Sequence, residues 1–224
     1  MSRERSEMEN LARQLYRDHK QVLDLLTERN SGSGFGRAVQ RLFGDNPPRG
    51  KLVRIGNGTF IHSGLEKSLV SFLPAQWHEE LYKTKDAWPG CDNWWAGYAF
   101  IAWVEIRARD DGTTGFLKLN AEVGPISNPD VRKGIIEAIK LAALAKELER
   151  IHFPAGTADE GRLYSRFLRK NSVAVNDIHN TAEVESKFVQ LVADFAPEFE
   201  LVASVIPHFL RFSGVLASPP LTPR

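Results

Sequence analysis

The sequence predicts an α+β fold: a small antiparallel sheet with a long central hairpin packs against several helices, after an N-terminal helical hairpin. In both halves of 94–125 one set of alternating positions is apolar throughout, while the other set turns polar, which indicates two long strands. A capped amphipathic helix follows at 128–150. The chain has 224 residues, of which 42% are hydrophobic, so it can bury a core without disulfides.

The stretch at 94–125 reads as two strands joined by the loop DDGTTG. Side chains alternate between the two faces of a strand, and one face of this hairpin is apolar throughout. The other face turns polar and carries Glu105, Arg107, Lys118, Asn120 and Glu122. Such a pattern is typical of an antiparallel sheet with one face on the core and one face in water.

The helix after the hairpin has a clear N-terminal signature, with Asn128 as the N-cap and Pro129 at its first position. Residues 51–62 predict a second, shorter hairpin around Gly56-Asn57-Gly58. Apolar spacings predict further helices at 7–29, 35–43, 162–170, 181–195 and 196–212. The predicted organisation is a helical hairpin at 1–50, an α+β domain at 51–212 and a disordered tail at 213–224.

Composition narrows the classes of function. The net charge of +1 carries no global signature of a nucleic-acid or membrane binder. The single cysteine, Cys91, excludes an internal disulfide. No apolar run reaches the roughly 18 residues of a membrane span, and no histidine pair has zinc-ligand spacing. We therefore expect a soluble, cytoplasmic protein with no membrane partner, no metal site and no cofactor.

The polar face of the hairpin is the first candidate for chemistry. Glu105, Glu122 and Lys118 lie on adjacent strands, where two carboxylates and a lysine could hold Mg²⁺ and activate a water for nuclease chemistry. The alternative is a ladder of ion pairs that faces solvent. Arg107 stands where a nuclease wants a lysine, and arginine stays protonated. This departure favours the ladder.

The predicted helix at 162–170 is the second candidate. Its residues Arg162, Arg166 and Arg169 are spaced four and three apart, so a helix would present them together with Lys170. Such a face could bind phosphates, with Arg107 and Lys118 as further contacts. The alternative is a surface helix whose arginines pair with nearby acids.

Aromatic residues are the third candidate. Rings near a loop can stack on bases, although most such rings serve as core residues and hairpin anchors. The set is Trp77, Trp88, Trp94, Trp95, Tyr98 and Trp103.

The order of these segments resembles part of a known superfamily. The segments are LYRDHKQVLDLL, FGRAVQRLFG, the hairpin ending in EVGP, PDVRKGIIEAI and RLYSRFLRK. They resemble the C-terminal segment of bacterial PD-(D/E)XK nuclease superfamily proteins of defence islands and prophages. The resemblance covers roughly residues 11–212 and does not include the nuclease core. It implies an accessory or recognition module that acts beside a nuclease.

Three functional hypotheses follow. The leading one is a non-enzymatic module of bacterial defence or mobile elements that binds DNA, another nucleic acid or a protein partner, such as a nuclease subunit. The second is a divergent Mg²⁺-dependent nuclease of the PD-(D/E)XK superfamily that uses Glu105 and Glu122. The third is a scaffold or interaction protein, including a homo-oligomer, that binds a partner through its N-terminal helices.

Overall fold

The computed structural model describes residues 33–95, 97–159 and 161–212. Its helices are α1 (Gly34–Phe43), α2 (Ala75–Lys83), α3 (Pro129–Ala145), α4 (Thr181–Asp194) and α5 (Ala196–Phe212). Its strands are β1 (Leu52–Ile55), β2 (Gly58–Glu66), β3 (Leu69–Pro74), β4 (Phe100–Ala108), β5 (Gly115–Val123), β6 (Ser165–Arg166) and β7 (Ser172–Val175). None of these helices has the length and apolar character needed to cross a membrane. The predicted helix at 7–29 and the predicted tail at 213–224 lie outside the described residues.

The strands of the described residues form one antiparallel sheet in the order β1-β2-β3-β4-β5-β6, and β7 also pairs with β5. The predicted long hairpin is the centre of this sheet. Its strands β4 and β5 are paired along their whole length, from Phe100 opposite Val123 to Ala108 opposite Gly115. The outer edge of β5 pairs first with β7 and then with β6. The α+β prediction is therefore confirmed.

The helices pack on one face of this sheet through aromatic rings. Phe72 of β3 contacts Phe43 of α1 and Phe188 of α4, with ring centroids 6.1 and 6.4 Å apart. Trp77 of α2 contacts Phe199 of α5 at 5.4 Å and donates its indole N–H to the Phe199 carbonyl at 2.8 Å. These rings are almost fully buried, so they hold the helices to the sheet.

The two faces of the sheet differ in chemistry. Phe72 lies directly opposite Ala102, which in turn lies opposite Ala121, and cross-strand partners point to the same side. The rings that contact helices therefore lie on the apolar face of the predicted hairpin, which we call the helix face. We call the other side the polar face, and it carries Ser71, Trp103, Glu105, Arg107, Lys118, Asn120 and Glu122.

The described part of the predicted N-terminal unit packs into the α+β core. Phe35 and Phe43 of α1 are buried. Arg41 of α1 forms a 3.2 Å ion pair with Glu185 of α4. Gly34 lies so close to the backbone carbonyl of Ile178 that a side chain would not fit there. Helix α1 is therefore packed against α4 as part of the same core.

The predicted helix at 162–170 is wrong. Residues 165–166 form β6 instead, and Leu168 forms an isolated bridge with Ile151. The backbone N–H of Phe167 donates to the Ala121 carbonyl at 3.1 Å, and its carbonyl accepts from His152 at 2.7 Å. The exposed edge of β5 requires backbone partners, and this requirement outweighs the helical spacing of the arginines.

Candidate functional site

The polar face contains a hydrogen-bonded group centred on Glu105. Lys118 lies directly opposite Glu105 in the register. The Glu105 carboxylate accepts from Arg107 at 3.1 Å and from the side-chain amide of Asn120 at 3.2 Å. Arg107 is about half exposed (54% of its side chain), whereas the Glu105 side chain is 16% exposed. Only part of the predicted solvent-facing ladder is therefore exposed.

A second ion pair joins the polar face to the segment that was predicted as a helix. Arg166 of β6 lies directly opposite Glu122 of β5, and its Nε donates to the Glu122 carboxylate at 3.3 Å. Burial raises the pKa of Glu122, while the positive charges of Arg166 and Arg132 oppose that rise. Glu122 was predicted on the polar face of the hairpin and Arg166 on a separate basic helix, and the structure brings both into one site.

Aromatic rings surround this ion pair. The guanidinium of Arg166 lies 4.9 Å from the ring centre of Trp103, a cation–π contact. Trp95 stacks on Trp103 with centroids 5.8 Å apart and planes 17° apart. Tyr164 lies against Trp94 with centroids 6.0 Å apart. We call Trp94, Trp95, Trp103, Tyr164 and Arg166 the aromatic–arginine cluster.

The cluster combines buried and exposed rings in pairs. Trp103 is 4% exposed and Trp94 is 8% exposed, whereas Tyr164 is 48% exposed and Trp95 is half-buried. Each accessible ring therefore rests on a buried tryptophan. A Cβ at Gly124 would overlap the six-membered ring of Trp94, so only glycine at this position leaves room for that ring.

The loop that supplies two of these tryptophans is strained. Trp95 has a φ of 41°, in the left-handed region that non-glycine residues rarely occupy. Such a conformation costs about 1–3 kcal/mol and persists only where the surroundings enforce it. The Tyr98 hydroxyl lies 3.2 Å from Nε2 of His78, which ties the end of this loop to α2.

Arg132 of α3 holds the other side of the cluster. Its guanidinium is buried and donates to the carbonyls of Gly124 (3.4 Å) and Thr157 (3.0 Å) and to the Ser165 hydroxyl. Ser165 precedes Arg166 and also donates to the Thr157 carbonyl at 2.9 Å. Arg132 therefore fixes β6 against the end of β5 and sets the position of Arg166 on the polar face.

The other predicted basic residues lie elsewhere. Arg169 donates to the Glu149 carbonyl at 2.6 Å, and Lys170 forms a 3.1 Å ion pair with the Glu149 carboxylate. Arg162 is exposed near the cluster, and its positive charge contributes to the lowered pKa of Arg132, behind burial as the larger cause. The structure therefore brings Arg166 to the polar face and leaves Arg169 and Lys170 away from it.

The two candidate metal ligands are far apart. Glu122 lies opposite Ile101, four residues along β4 from Glu105, which corresponds to roughly 13 Å. Carboxylates that share one Mg²⁺ both contact it at about 2.1 Å. In the part of the chain that the structure describes, no group of three or more His, Cys, Asp or Glu side chains could hold a metal ion.

No protein-family model, curated protein or solved structure matches this chain.

One feature of the site could have been read from the sequence. Arg132 stands three, four and seven residues before Ile135, Ile136 and Ile139, so helical spacing already places it on the buried face of α3. Ser165 and Phe167 both point inward around Arg166, which is the period of a strand, but the polar side chain of Ser165 hides that period from a hydrophobicity pattern. The pairing of Tyr164 with Trp94 depends on tertiary packing and has no signal in the local sequence.

Proposed function

We propose that this chain is a non-enzymatic recognition module that binds nucleic acid through the polar face of its sheet. The observation that carries the proposal is the convergence of four cations, Arg107, Lys118, Arg162 and Arg166, on or beside this face. Basic side chains gathered on one surface are the electrostatic footprint of phosphate binding.

The charge balance of the face favours an anionic ligand. Two arginines, Arg107 and Arg166, pair with the two carboxylates of Glu105 and Glu122. Lys118 and Arg162 form no ion pair within the described residues. The register also places Arg54 and Glu66 on this side of the sheet, so five cations, with Arg162 included, against three carboxylates leave an excess of two positive charges. Excess charge attracts phosphates, although the whole chain has a net charge of only +1.

The resemblance supplies a biological setting for the same proposal. It implies a module that acts beside a nuclease, in bacterial defence or mobile-element biology, with nuclease chemistry performed by a different protein. Co-purification of the chain with the product of a neighbouring nuclease gene tests this setting separately from binding.

Binding is tested by fluorescence anisotropy with short labelled DNA and RNA at about 50 mM and about 200 mM salt. The charge-reversal variant combines Lys118→Glu and Arg162→Glu. Its matched control combines Lys133→Glu and Lys146→Glu, which changes the net charge equally at exposed positions on α3 and directly after it, away from the polar face.

We expect the Lys118/Arg162 variant to bind at least about tenfold more weakly, with a shallower salt dependence, because two phosphate contacts are lost. The control should stay within about twofold of the wild type. Equal losses in both variants would overturn the assignment of the polar face. The absence of binding to any nucleic acid at the lower salt would overturn the proposed function and favour a protein ligand.

A further inference from the structure

The accessible rings of the aromatic–arginine cluster are arranged as a platform. Trp95 and Tyr164 come from different parts of the chain, and each rests on one of the buried rings Trp103 and Trp94. Rings supported in this way lose little conformational freedom when a ligand stacks on them, because their positions are already fixed by packing.

We infer that the platform binds the unpaired bases of single-stranded nucleic acid, with Trp95 and Tyr164 as the stacking residues. This inference rests on the proposed function, because it names the class of nucleic acid that the polar face takes. Every base has a flat π-face, so aromatic stacking is tolerant of sequence. In a duplex those faces are covered by neighbouring base pairs, and only a single strand presents them.

Cations lie on both sides of the exposed tyrosine along the chain. Arg162 lies two residues before Tyr164 and Arg166 lies two residues after it, and both arginines are exposed. Arg166 belongs to β6, and its guanidinium is held by Glu122 and Trp103. A base on Tyr164 therefore places its neighbouring phosphates near Arg162 and Arg166.

The conformation of Trp95 is an independent observation. Among the described residues with a positive φ, Trp95 is the only aromatic one. A strained backbone is kept where a side chain must be held in a particular position. Here the strained backbone holds the ring of Trp95 against Trp103 on the polar face.

The inference is tested by comparing three ligands of equal length: a single-stranded oligonucleotide, its duplex and an abasic single strand that keeps the phosphates. DNA and RNA forms of the first ligand show whether the platform distinguishes the two sugars. The variants are Tyr164→Leu, which removes the ring, and Tyr164→Phe, which keeps it. The matched control is Tyr82→Leu, because Tyr82 is an exposed tyrosine on α2 (68%).

We expect the wild type to prefer the single strand over both other ligands. Tyr164→Leu should lose about five- to a hundredfold in affinity for the base-bearing strand, and Trp95→Leu a similar amount. The same variants should bind the abasic strand as the wild type does. Tyr164→Phe and Tyr82→Leu should keep the wild-type affinity for all ligands.

Failure of the inference can be told apart from failure of the proposed function. If the wild type binds duplex and abasic strands as tightly as the single strand, while the Lys118/Arg162 reversal still weakens binding, the stacking platform is wrong and the nucleic-acid function stands. If Tyr164→Phe loses as much affinity as Tyr164→Leu, the hydroxyl and not the ring is responsible. Without any binding, both proposals fall together.

Discussion

Replacing Arg150 by methionine removes the partner of a buried carboxylate. Glu198 of α5 is 1% exposed, and both of its carboxylate oxygens accept from Arg150, at 2.8 and 2.7 Å. The same guanidinium lies 4.1 Å from the ring centre of Phe195. The bidentate ion pair between Arg150 and Glu198 joins the segment after α3 to the start of α5. The Arg150→Met variant keeps most of the side-chain volume while it removes the charge.

The expected loss of folding free energy in Arg150→Met follows from the burial of Arg150 and Glu198. Removing one partner of a buried ion pair costs about 3–5 kcal/mol, because the remaining charge is left uncompensated. The Arg150 side chain is 29% exposed, so water can reach the vacated side, and we take the lower part of that range, about 3 kcal/mol. The lost contact with Phe195 adds about 0.5–1 kcal/mol. The corresponding fall in Tm is about 7–16 °C for a chain of this size.

The assay is thermal unfolding by circular dichroism, confirmed by urea titration. The matched control is Arg41→Met, because the Arg41–Glu185 pair has the same charges at 3.2 Å but is more exposed (57% and 32%), so we expect a cost below about 1 kcal/mol. The double variant Arg150→Met/Glu198→Met should recover at least half of the loss, since no charge remains buried. The reasoning is refuted if Arg150→Met destabilises no more than Arg41→Met, or if the double variant is as unstable as the single one.

Three further predictions concern other parts of the fold. Asn128→Ala should lower the free energy of unfolding by about 1 kcal/mol in urea titration, because the Asn128 side chain caps the Asp130 and Val131 amides; no change would contradict the cap. Burial raises the pKa of the Cys91 thiol to about 12, from 9.0, so stability contributed by the neutral thiol should be present below pH 9.0 and lost towards pH 12. Near pH 8 the Cys91 thiol of the folded protein should therefore react slowly with a thiol reagent that labels the unfolded chain quickly. Fast labelling of the folded protein would contradict the raised pKa. The raised pKa of Glu122 favours its neutral form, so the stability of Glu122→Gln relative to the wild type should improve from about pH 4 to about pH 7; a difference that is independent of pH would contradict this.

The long hairpin and α3 could be predicted because their signals are local. The apolar residues at every second position predicted the faces of β4 and β5, and the register confirms that Phe100, Ala102 and Val104 share a side with their partners on β5. Asn128 accepts from two amides at the start of α3, as its position before Pro129 predicted. Both elements follow from interactions within a few residues or between adjacent strands.

The segment at 162–170 could not be predicted because two periodicities fit it. Leu163 and Phe167 are four residues apart, which matches a helix. The competing alternation depends on Ser165, a small polar residue that is buried only because Arg132 and the Thr157 carbonyl satisfy its hydroxyl. A hydrophobicity pattern does not count such a residue as inward-facing. The partner that stabilises the strand is the edge of β5, which lies more than forty residues earlier in the sequence.

This change of secondary structure alters which arginines can act together. In a helix, spacings of four and three would place Arg162, Arg166 and Arg169 on one face. In an extended segment, residues an odd number apart point to opposite sides, and Arg166 and Arg169 are three apart. Accordingly, Arg166 reaches Glu122 on the polar face, whereas Arg169 reaches the Glu149 carbonyl. Tyr164 and Arg166 are two apart, so the extended conformation replaces a row of three arginines by an aromatic ring beside an arginine, which is a surface suited to bases as well as to phosphates.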